Sequence, residues 1–439
     1  MGGKFQTTAL SPVRAKQDAG TRRLRYLAHV YTDGQTALDA DFIPIQRSLI
    51  VGREPGVGRF VLDDAEASRR HAEIEVVDED TVRVKDLGSR NGTHLFGAPI
   101  EAETLAPGSV LRIGGSLLVY CEIEVPPGIA AFAPLPRCSL ARLRAEALID
   151  TVAPSELPVL IQGPTGAGKE LLATRVHQKS NRKGNLVAVN CSTFSKELIG
   201  SELFGHVAGA FSGATSARTG LFAAANDGTL FLDEIAELPL DQQPALLRAI
   251  QEKKIRPVGG DKEVNVDARV VAASHKKLSE LSAAGNFRPD LFARLSGFII
   301  EIPGLSARRE EILSLFTQFV GKDAPPLSVE AAEAMLIYDW PLNVRELKHV
   351  AERAKLFIKD ANRIEVGVLP PEIVQAKNDP RTTGSADDEA PTRQVLEGLL
   401  AKHEGNVAQV AKALGRHRQQ LYRWLKKHDL DPESFRKEE

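Results

Sequence analysis

The 439-residue chain has only three cysteines, Cys121, Cys138 and Cys191, and no two of them form a CxxC pair. That spacing argues against a disulfide framework or a cysteine zinc site and suits a reducing compartment. Long apolar runs are also missing, and none approaches the roughly 20 residues that span a bilayer. The first twenty residues are polar and lack the apolar stretch of an export signal. A cytoplasmic location with no membrane partner is therefore expected. A strong excess of one charge is absent too, because the net charge is −2. The balance is uneven, however: between Lys412 and Lys427 stand six Lys or Arg and no acid. Net charge alone hides that basic patch.

The length calls for two to four domains rather than one core. Residues 1–21 are expected to be disordered. Residues 124–136 contain Pro126, Pro127, Pro134 and Pro136, which prevent regular structure, and residues 378–392 are rich in Pro, Gly, Thr, Asp and Ser. Both stretches read as linkers. They separate modules at 22–123, 137–377 and 393–439.

In the first module, short β-prone stretches at Leu24–Tyr31, Ser48–Val51, Ala72–Val77, Thr81–Asp86 and Val110–Glu122 are divided by turn signals. Val82 and Val84 alternate with Arg83 and Lys85, as in a half-buried strand of an antiparallel sandwich. On that scaffold stand Gly52-Arg53, Ser68-Arg69-Arg70-His71 and Gly88-Ser89-Arg90-Asn91-Gly92-Thr93. Arginine forks and a serine hydroxyl suit a phosphate with three acceptor oxygens. Read singly, Asn91-Gly92 is a hairpin turn and the arginines a solvated face. The three motifs in this order resemble the forkhead-associated (FHA) domain. The resemblance implies a phosphothreonine-bearing protein partner, with Arg53, Ser68 and Arg69 or Arg90 on the phosphate. It also implies that Asn91 holds the peptide backbone and His71 braces the loops.

The central module opens on an apolar strand, Pro158–Ile161. The phosphate-loop pattern Gly163-Pro164-Thr165-Gly166-Ala167-Gly168-Lys169-Glu170 and a helical run come next. Strand, loop and helix in that order support ATP binding, with backbone N–H groups and Lys169 on the phosphates. A second apolar strand ends in Asp233-Glu234. Alone the pair reads as an acidic helix start; downstream of a phosphate loop it reads as the site of Mg2+ (Asp233, through water) and of the water-activating base (Glu234). Between them lies Gly209-Ala210-Phe211-Ser212-Gly213-Ala214, a sequence suited to an exposed, glycine-hinged aromatic tip.

That hexapeptide and its neighbours resemble the bacterial enhancer-binding activators of sigma-54 RNA polymerase. The resemblance implies an AAA+ ATPase with an α/β subdomain over 137–306 and a helical lid over 307–377. Residues 209–214 then contact sigma-54, Asn190 switches the catalytic Glu234, and Ser274-His275 is the first sensor. Arg288 and Arg294 reach a neighbour's ATP, which implies a hexameric ring, and Arg345 contacts nucleotide from the lid. Glu170 fits this family though not the broad pattern. Pro164, Val207-Ala208, Ser212 and Leu342 depart from it, and Val207 removes a side chain that could hold the loop down.

The last module shows Val395, Leu396, Leu399 and Leu400 at helical spacing, then Val407, Val410 and Ala411, a turn at Gly415, and Leu421, Trp424 and Leu425. Arg416, His417, Arg418, Gln419, Gln420 and Arg423 are left outward, as in a helix-turn-helix facing DNA. A basic, solvated hairpin is the alternative for that charge cluster. The order resembles the Fis-type DNA-binding domain.

The whole reads as a multidomain protein: an all-β FHA sandwich, an α/β ATPase with helical lid, and an all-α helix-turn-helix. Its expected cofactors are ATP and Mg2+. Its expected partners are sigma-54 holoenzyme, enhancer DNA, a phosphothreonine protein and copies of itself. No aspartate-accepting receiver domain is evident, so input through a histidine kinase is not expected. Two alternatives remain: a DNA-binding regulator whose ATPase module is only an oligomerisation scaffold, and a remodeller with another client.

Overall fold

The computed structural model describes residues 22–34, 40–56, 60–125, 139–195, 198–321, 323–358, 361–378 and 391–403. Beyond these it describes Val407, Val410, Leu414, Trp424, Leu425, His428, Leu430 and Pro432–Phe435. Eleven strands build the first domain: β1 (Arg22–Thr32), β2 (Asp41–Pro44), β3 (Ser48–Gly52), β4 (Phe60–Val61), β5 (Ala72–Val76), β6 (Val82–Asp86), β7 (Thr93–Leu95), β8 (Ala98–Ile100), β9 (Ala102–Leu105), β10 (Val110–Ile113) and β11 (Ser116–Val125). They form two sheets, ordered β2-β1-β11-β10-β7-β8 and β4-β3-β5-β6-β9. The alternation expected for β6 is present. Val82 and Val84 are buried, and Val84 lies opposite Ile74. On the outer face Glu73 lies opposite Lys85 and Glu75 opposite Arg83, charge pairs that favour this register.

Val110–Glu122 is not one strand, as its apolar run suggests, but the hairpin of β10 and β11. The turn sits at Gly114-Gly115. Gly114 has φ +63°, and a Cβ there would stand 2.8 Å from the Ala67 amide nitrogen, so no larger residue fits. The strand β11 also runs two residues past the expected domain end at 123.

The central domain begins with α1 (Leu140–Val152), capped by Ser139, whose hydroxyl accepts from the Arg142 amide. Its sheet has five parallel strands in the order β13 (Leu186–Asn190), β16 (Thr229–Asp233), β19 (Arg269–Ser274), β12 (Val159–Gln162) and β20 (Phe298–Glu301). The central strands β16, β19 and β12 are apolar and buried almost throughout because both faces are covered, whereas Ala188 of β13 and Ile299 of β20 are exposed at the edges. Leu160, Leu230, Leu232 and Ala272 enter one core, while Ile161, Phe231, Val271 and Ala273 enter the other. Buried Arg269 donates to the carbonyls of Val152 (2.9 Å), Ala153 (2.6 Å) and Leu157 (3.1 Å). A cation there suits the negative end of α1 and ties it to the sheet.

Around this sheet lie α2 (Lys169–Gln178), α3 (Ile199–Phe204), α4 (Leu221–Ala224), α5 (Gln243–Glu252), α6 (Leu278–Ala283) and α7 (Pro289–Leu295). Two small hairpins project from it, β14 (Gly205–His206) with β15 (Arg218–Thr219), and β17 (Lys254–Ile255) with β18 (Val264–Asn265). The lid consists of α8 (Ile312–Val320), α9 (Val329–Ile337), α10 (Asn343–Lys355) and α11 (Pro371–Asn378). After it, α12 (Arg393–Lys402) packs Leu396 and Leu400 with Val407, Val410, Trp424 and Leu425, the inward residues expected of a helix-turn-helix. No helix among the described residues is long and apolar enough to cross a membrane.

Candidate functional site

Strand order positions the chemistry. The acid strand β16 is separated from the phosphate-loop strand β12 by β19, so the ends of all three meet at the carboxyl edge of the sheet, where open α/β sheets bind ligands. Lys169, 6% exposed, donates to the carbonyls of Gly163 (3.1 Å) and Pro164 (3.4 Å) and lies 3.5 Å from Glu234 Oε1. Glu234 sits in the left-handed region with φ +50°. This turn projects its carboxylate back towards β19, where His275 Nδ1 lies 2.5 Å from Oε2. Burial raises the Glu234 carboxyl, but the His275 hydrogen bond and the Lys169 charge outweigh it and hold the group ionised below its ordinary range. Neighbouring Asp233 goes the other way, raised first by burial and then by the Glu234 charge. The paired acids are thus driven apart, one held ionised and the other a carboxylate in need of a cation.

Mg2+ fits that need. It is commonly held by one or two carboxylates together with phosphates and waters. Asp233 supplies such a carboxylate beside Lys169, and a dication would relieve both influences that raise its pKa. Among the described residues no cluster of three or more His, Cys, Asp or Glu forms a protein cage.

Asn190, expected to switch Glu234, faces Asp233 in this structure. Its amide lies 3.2 Å from Asp233 Oδ2, while its carbonyl oxygen accepts from the Ser192 amide (2.9 Å) and hydroxyl (2.6 Å). The register explains this, since Asn190 lies directly opposite Asp233 across β13 and β16. The side chain that grips Glu234 here is His275.

The lid holds the phosphate loop by its carbonyls. Asn343 Nδ2 donates to Thr165 O (2.9 Å), the Val344 amide to Gly166 O (3.0 Å) and Arg308 Nη2 to Ala167 O (2.7 Å). The expected lid contact, Arg345, is exposed on the first turn of α10. On α7, Leu291 and Leu295 point into the core while Arg294 is exposed. Arg288 is exposed too, but its guanidinium forks onto Asp290 at 3.1 and 2.7 Å.

The loop Gly209–Ala214 is closed on itself: the Gly209 amide donates to Ala214 O (2.8 Å) and the Ala214 amide to Phe211 O (2.9 Å). Phe211 is 38% exposed and meets the His206 ring edge-on at 5.1 Å. His206 Nδ1 in turn lies 2.7 Å from Ser201 Oγ on α3. Val207, expected to leave the loop less restrained, supplies an apolar hold. Its amide donates to Val258 O (3.1 Å), and Cβ atoms at Gly259 and Gly260 would come within 3.3 and 3.2 Å of its methyls. The loop therefore rests on the turn between β17 and β18.

In the first domain the five phosphate-clamp candidates gather on one rim. The Arg53 amide donates to Ser68 O (3.0 Å), and Ser68 Oγ accepts from the Arg90 amide (3.0 Å). Asn91 Nδ2 donates to Glu66 O (2.9 Å). Arg53, Arg69, Arg90 and Asn91 are all exposed. Buried His71 spans the loops: the Ser68 amide lies 3.0 Å from its Nδ1 and Gly92 O lies 3.1 Å from its Nε2. A donor at Nδ1 leaves the proton on Nε2, and burial lowers the pKa of the ring, so the neutral brace is favoured. Gly52 permits the closure, because a Cβ there would stand 2.4 Å from Arg69 O. Gly52→Ala is expected to cost about 1–3 kcal/mol. Calorimetry should show this domain's transition falling by about 4–8 °C per kcal/mol; an unmoved midpoint would show that the loops yield.

Four family profiles match the chain in order: FHA domain over 49–114, Sigma-54 interaction domain over 139–301, AAA+ ATPase lid domain over 306–386, and bacterial regulatory protein, Fis family, over 393–428. Among solved structures, NtrX from Brucella abortus in complex with ADP is 32% identical. The match covers 67% of this chain and 70% of that one, with a TM-score of 0.51. The chain belongs to the sigma-54 activator family.

Curated relatives in this family include nitric oxide reductase transcription regulator NorR1 of Cupriavidus necator, 40% identical over 310 residues (64% of this chain, 60% of that protein). Another is transcriptional regulatory protein GlrR of Escherichia coli, 36% identical over 293 residues (65% and 66%). The chain spans less than two thirds of the length of either. As a member of that family it carries a sigma-54 interaction domain, an AAA+ lid and a Fis-type segment together with an FHA domain. The DNA-facing candidates Arg416, His417, Arg418, Gln419, Gln420 and Arg423 lie outside the described residues, as do 1–21, most of 124–136 and most of 378–392. Sequence reasoning missed Asn343 and Arg308 as holders of the phosphate loop. Their only signal was polar side chains amid the apolar patterning of the lid.

Proposed function

We propose that the chain hydrolyses ATP in a homo-hexameric ring and uses the Phe211 loop to remodel the closed complex of sigma-54 RNA polymerase, tethered to enhancer DNA by the Fis-type segment. The FHA rim would take its input from a phosphothreonine-bearing protein. One observation carries the reading: an exposed aromatic loop, latched rather than packed, projects from the domain that holds Lys169, Asp233, Glu234 and His275 together.

Lys169 would bind the β and γ phosphates by releasing Gly163 O and Pro164 O. Mg2+ at Asp233 would neutralise phosphate charge. Glu234, released from His275, would accept a proton from the attacking water, and Arg294 of a neighbour would stabilise charge on the transferred group. Beyond the hydrogen bonds within its own turn, the Phe211 tip is restrained by an edge-on ring pair worth about 0.5–1.5 kcal/mol and by the Val207 hold. Small shifts at the nucleotide edge could then free it.

ATP-dependent open-complex formation with purified sigma-54 holoenzyme on enhancer-linked DNA tests this directly; activity with the housekeeping holoenzyme instead would sink it. Phe211→Ala is expected to leave ATP turnover within about threefold, since the ring lies outside the site, while open complexes fall more than about tenfold because an aromatic anchor commonly carries 2 kcal/mol or more. Equal loss of both activities would return the loop to a purely structural role.

A further inference from the structure

Part of the outward face of the first FHA sheet is covered by the lid. Ala28 of β1 and Leu117, Val119 and Cys121 of β11 share one apolar core with Phe316 and Met335 of the lid, whereas Leu27, Leu118 and Tyr120 point into the FHA interior. Polar contacts frame that core. The Tyr31 hydroxyl donates to Leu327 O at 2.6 Å, Arg112 lies 3.3 Å from Glu333, and Arg363 pairs with Asp33 at 3.0 Å. Glu333 is 1% exposed, and a buried carboxylate is tolerated only while its partners stay in place.

At the inner end of this contact lies the turn Arg308–Glu311. All four side chains are buried, and they hold different parts of the chain. Arg308 donates to Ala167 O of the phosphate loop and pairs with Glu311, both at 2.7 Å. Arg309 donates to the carbonyls of Leu336, Ile337 and Tyr338 at the end of α9 and pairs with Asp339. The same guanidinium stands over the Phe96 ring of the FHA domain, 5.9 Å from its centroid. Glu310 meets the Cys121 thiol on β11, and Glu311 accepts from Ser139, the cap of α1. Burial pushes Glu310 up to about 7 and the Cys121 thiol well up, as befits groups sealed from water.

We propose that the Arg308–Glu311 turn couples FHA docking on the lid to the phosphate loop, with Arg308 as the positioning residue that holds Ala167 O. Four buried ionisable groups in one turn have costly alternatives, so the turn is well formed only when the FHA sheet, α9, α1 and the phosphate loop are all seated. Loss of the FHA contact takes the Phe96 ring from over Arg309 and the Cys121 thiol from beside Glu310, and the neighbouring hold on Ala167 loosens with them. The FHA domain thereby acts on nucleotide affinity through its lid-facing sheet, leaving its exposed phosphothreonine rim free. The inference rests on the nucleotide-site reading but on neither phosphopeptide nor sigma-54 binding.

Two full-length variants test it, with a fluorescent ADP analogue as probe. Ala28→Glu places a carboxylate in the shared core without touching the FHA interior, the turn or the phosphate loop. Phe96→Asn removes the ring over Arg309 while keeping a residue that tolerates the φ of +48° there. Coupling between sites commonly amounts to about 5–150-fold in affinity. The expected results are a rise in Kd of about tenfold for Ala28→Glu and about threefold for Phe96→Asn. Hydrogen exchange should quicken at residues 163–169, while β5 and β6 stay protected as a sign that the FHA domain remains folded. Wild-type affinity and exchange in the folded Phe96→Asn protein overturn the coupling, whatever Ala28→Glu does. Failure of the wild type itself to bind the probe would instead defeat the nucleotide-site reading.

Discussion

Glu234→Gln is expected to cut ATP turnover by about 10²–10⁴-fold while nucleotide affinity stays within about threefold, the usual size of a lost general base. The geometry separates this change from a loss of binding. Glu234 reaches Lys169 only at 3.5 Å, and Lys169 has two carbonyl contacts of its own at 3.1 and 3.4 Å. An amide can still take a hydrogen bond from His275 through its oxygen, so the left-handed turn at φ +50° need not rearrange. What the amide lacks is basicity. Steady-state phosphate release paired with equilibrium binding of a fluorescent ATP analogue measures both quantities. Turnover within about tenfold of the wild type would assign the proton to another group, because general-base catalysis seldom contributes less than that. Asp233→Asn should behave differently. It removes the carboxylate expected to need a cation, so its defect should show in the Mg2+ concentration required and not in catalysis alone.

Most of this corner was legible in the sequence because its chemistry lies in short contiguous segments at strand ends. Val159–Gln162 and Thr229–Asp233 announce themselves as apolar runs, and each runs into a loop whose residue types have few other uses. Pairings across the sheet were less legible. Asn190 falls opposite Asp233 through strand register, and register between β13 and β16 is a property of the folded sheet, not of either segment. The same holds for Val207: its replacement of a charged residue reads as a loss until the turn at Gly259-Gly260 is seen beneath it.

The contact between FHA domain and lid was half legible. Leu117-Leu118-Val119-Tyr120-Cys121 is apolar on both strand faces, and the helix Val329–Ile337 is buried almost all round. A half-solvated sandwich strand should alternate, and a surface helix should keep one polar face. Both patterns signal a second cover. Neither says what supplies it, because the two segments lie about 200 residues apart and only the tertiary fold matches them.

Arg294→Ala is expected to lower turnover by about 10³-fold or more, the range of an arginine supplied in trans to a phosphoryl transfer. The structure bears on which of the two candidate arginines has the larger effect. Arg288 already forks onto Asp290, so withdrawing it for a neighbour's phosphate leaves that carboxylate unpaired. Arg294 is exposed in the last turn of α7, with Leu291 and Leu295 buried on the helix's other side. Its projection away from the core is what a group meant for the next subunit requires. Mixing distinguishes trans from cis. Lys169→Ala subunits cannot hold nucleotide but present an intact Arg294, and Arg294→Ala subunits present an intact nucleotide site. Each preparation alone should be nearly inactive, and an equimolar mixture should recover a substantial fraction of wild-type turnover wherever the second kind receives an arginine from the first. A mixture no more active than its parts would show that Arg294 serves its own subunit or none. The ring would then rest on Arg288 alone for its chemical reason, and that arginine must first give up Asp290.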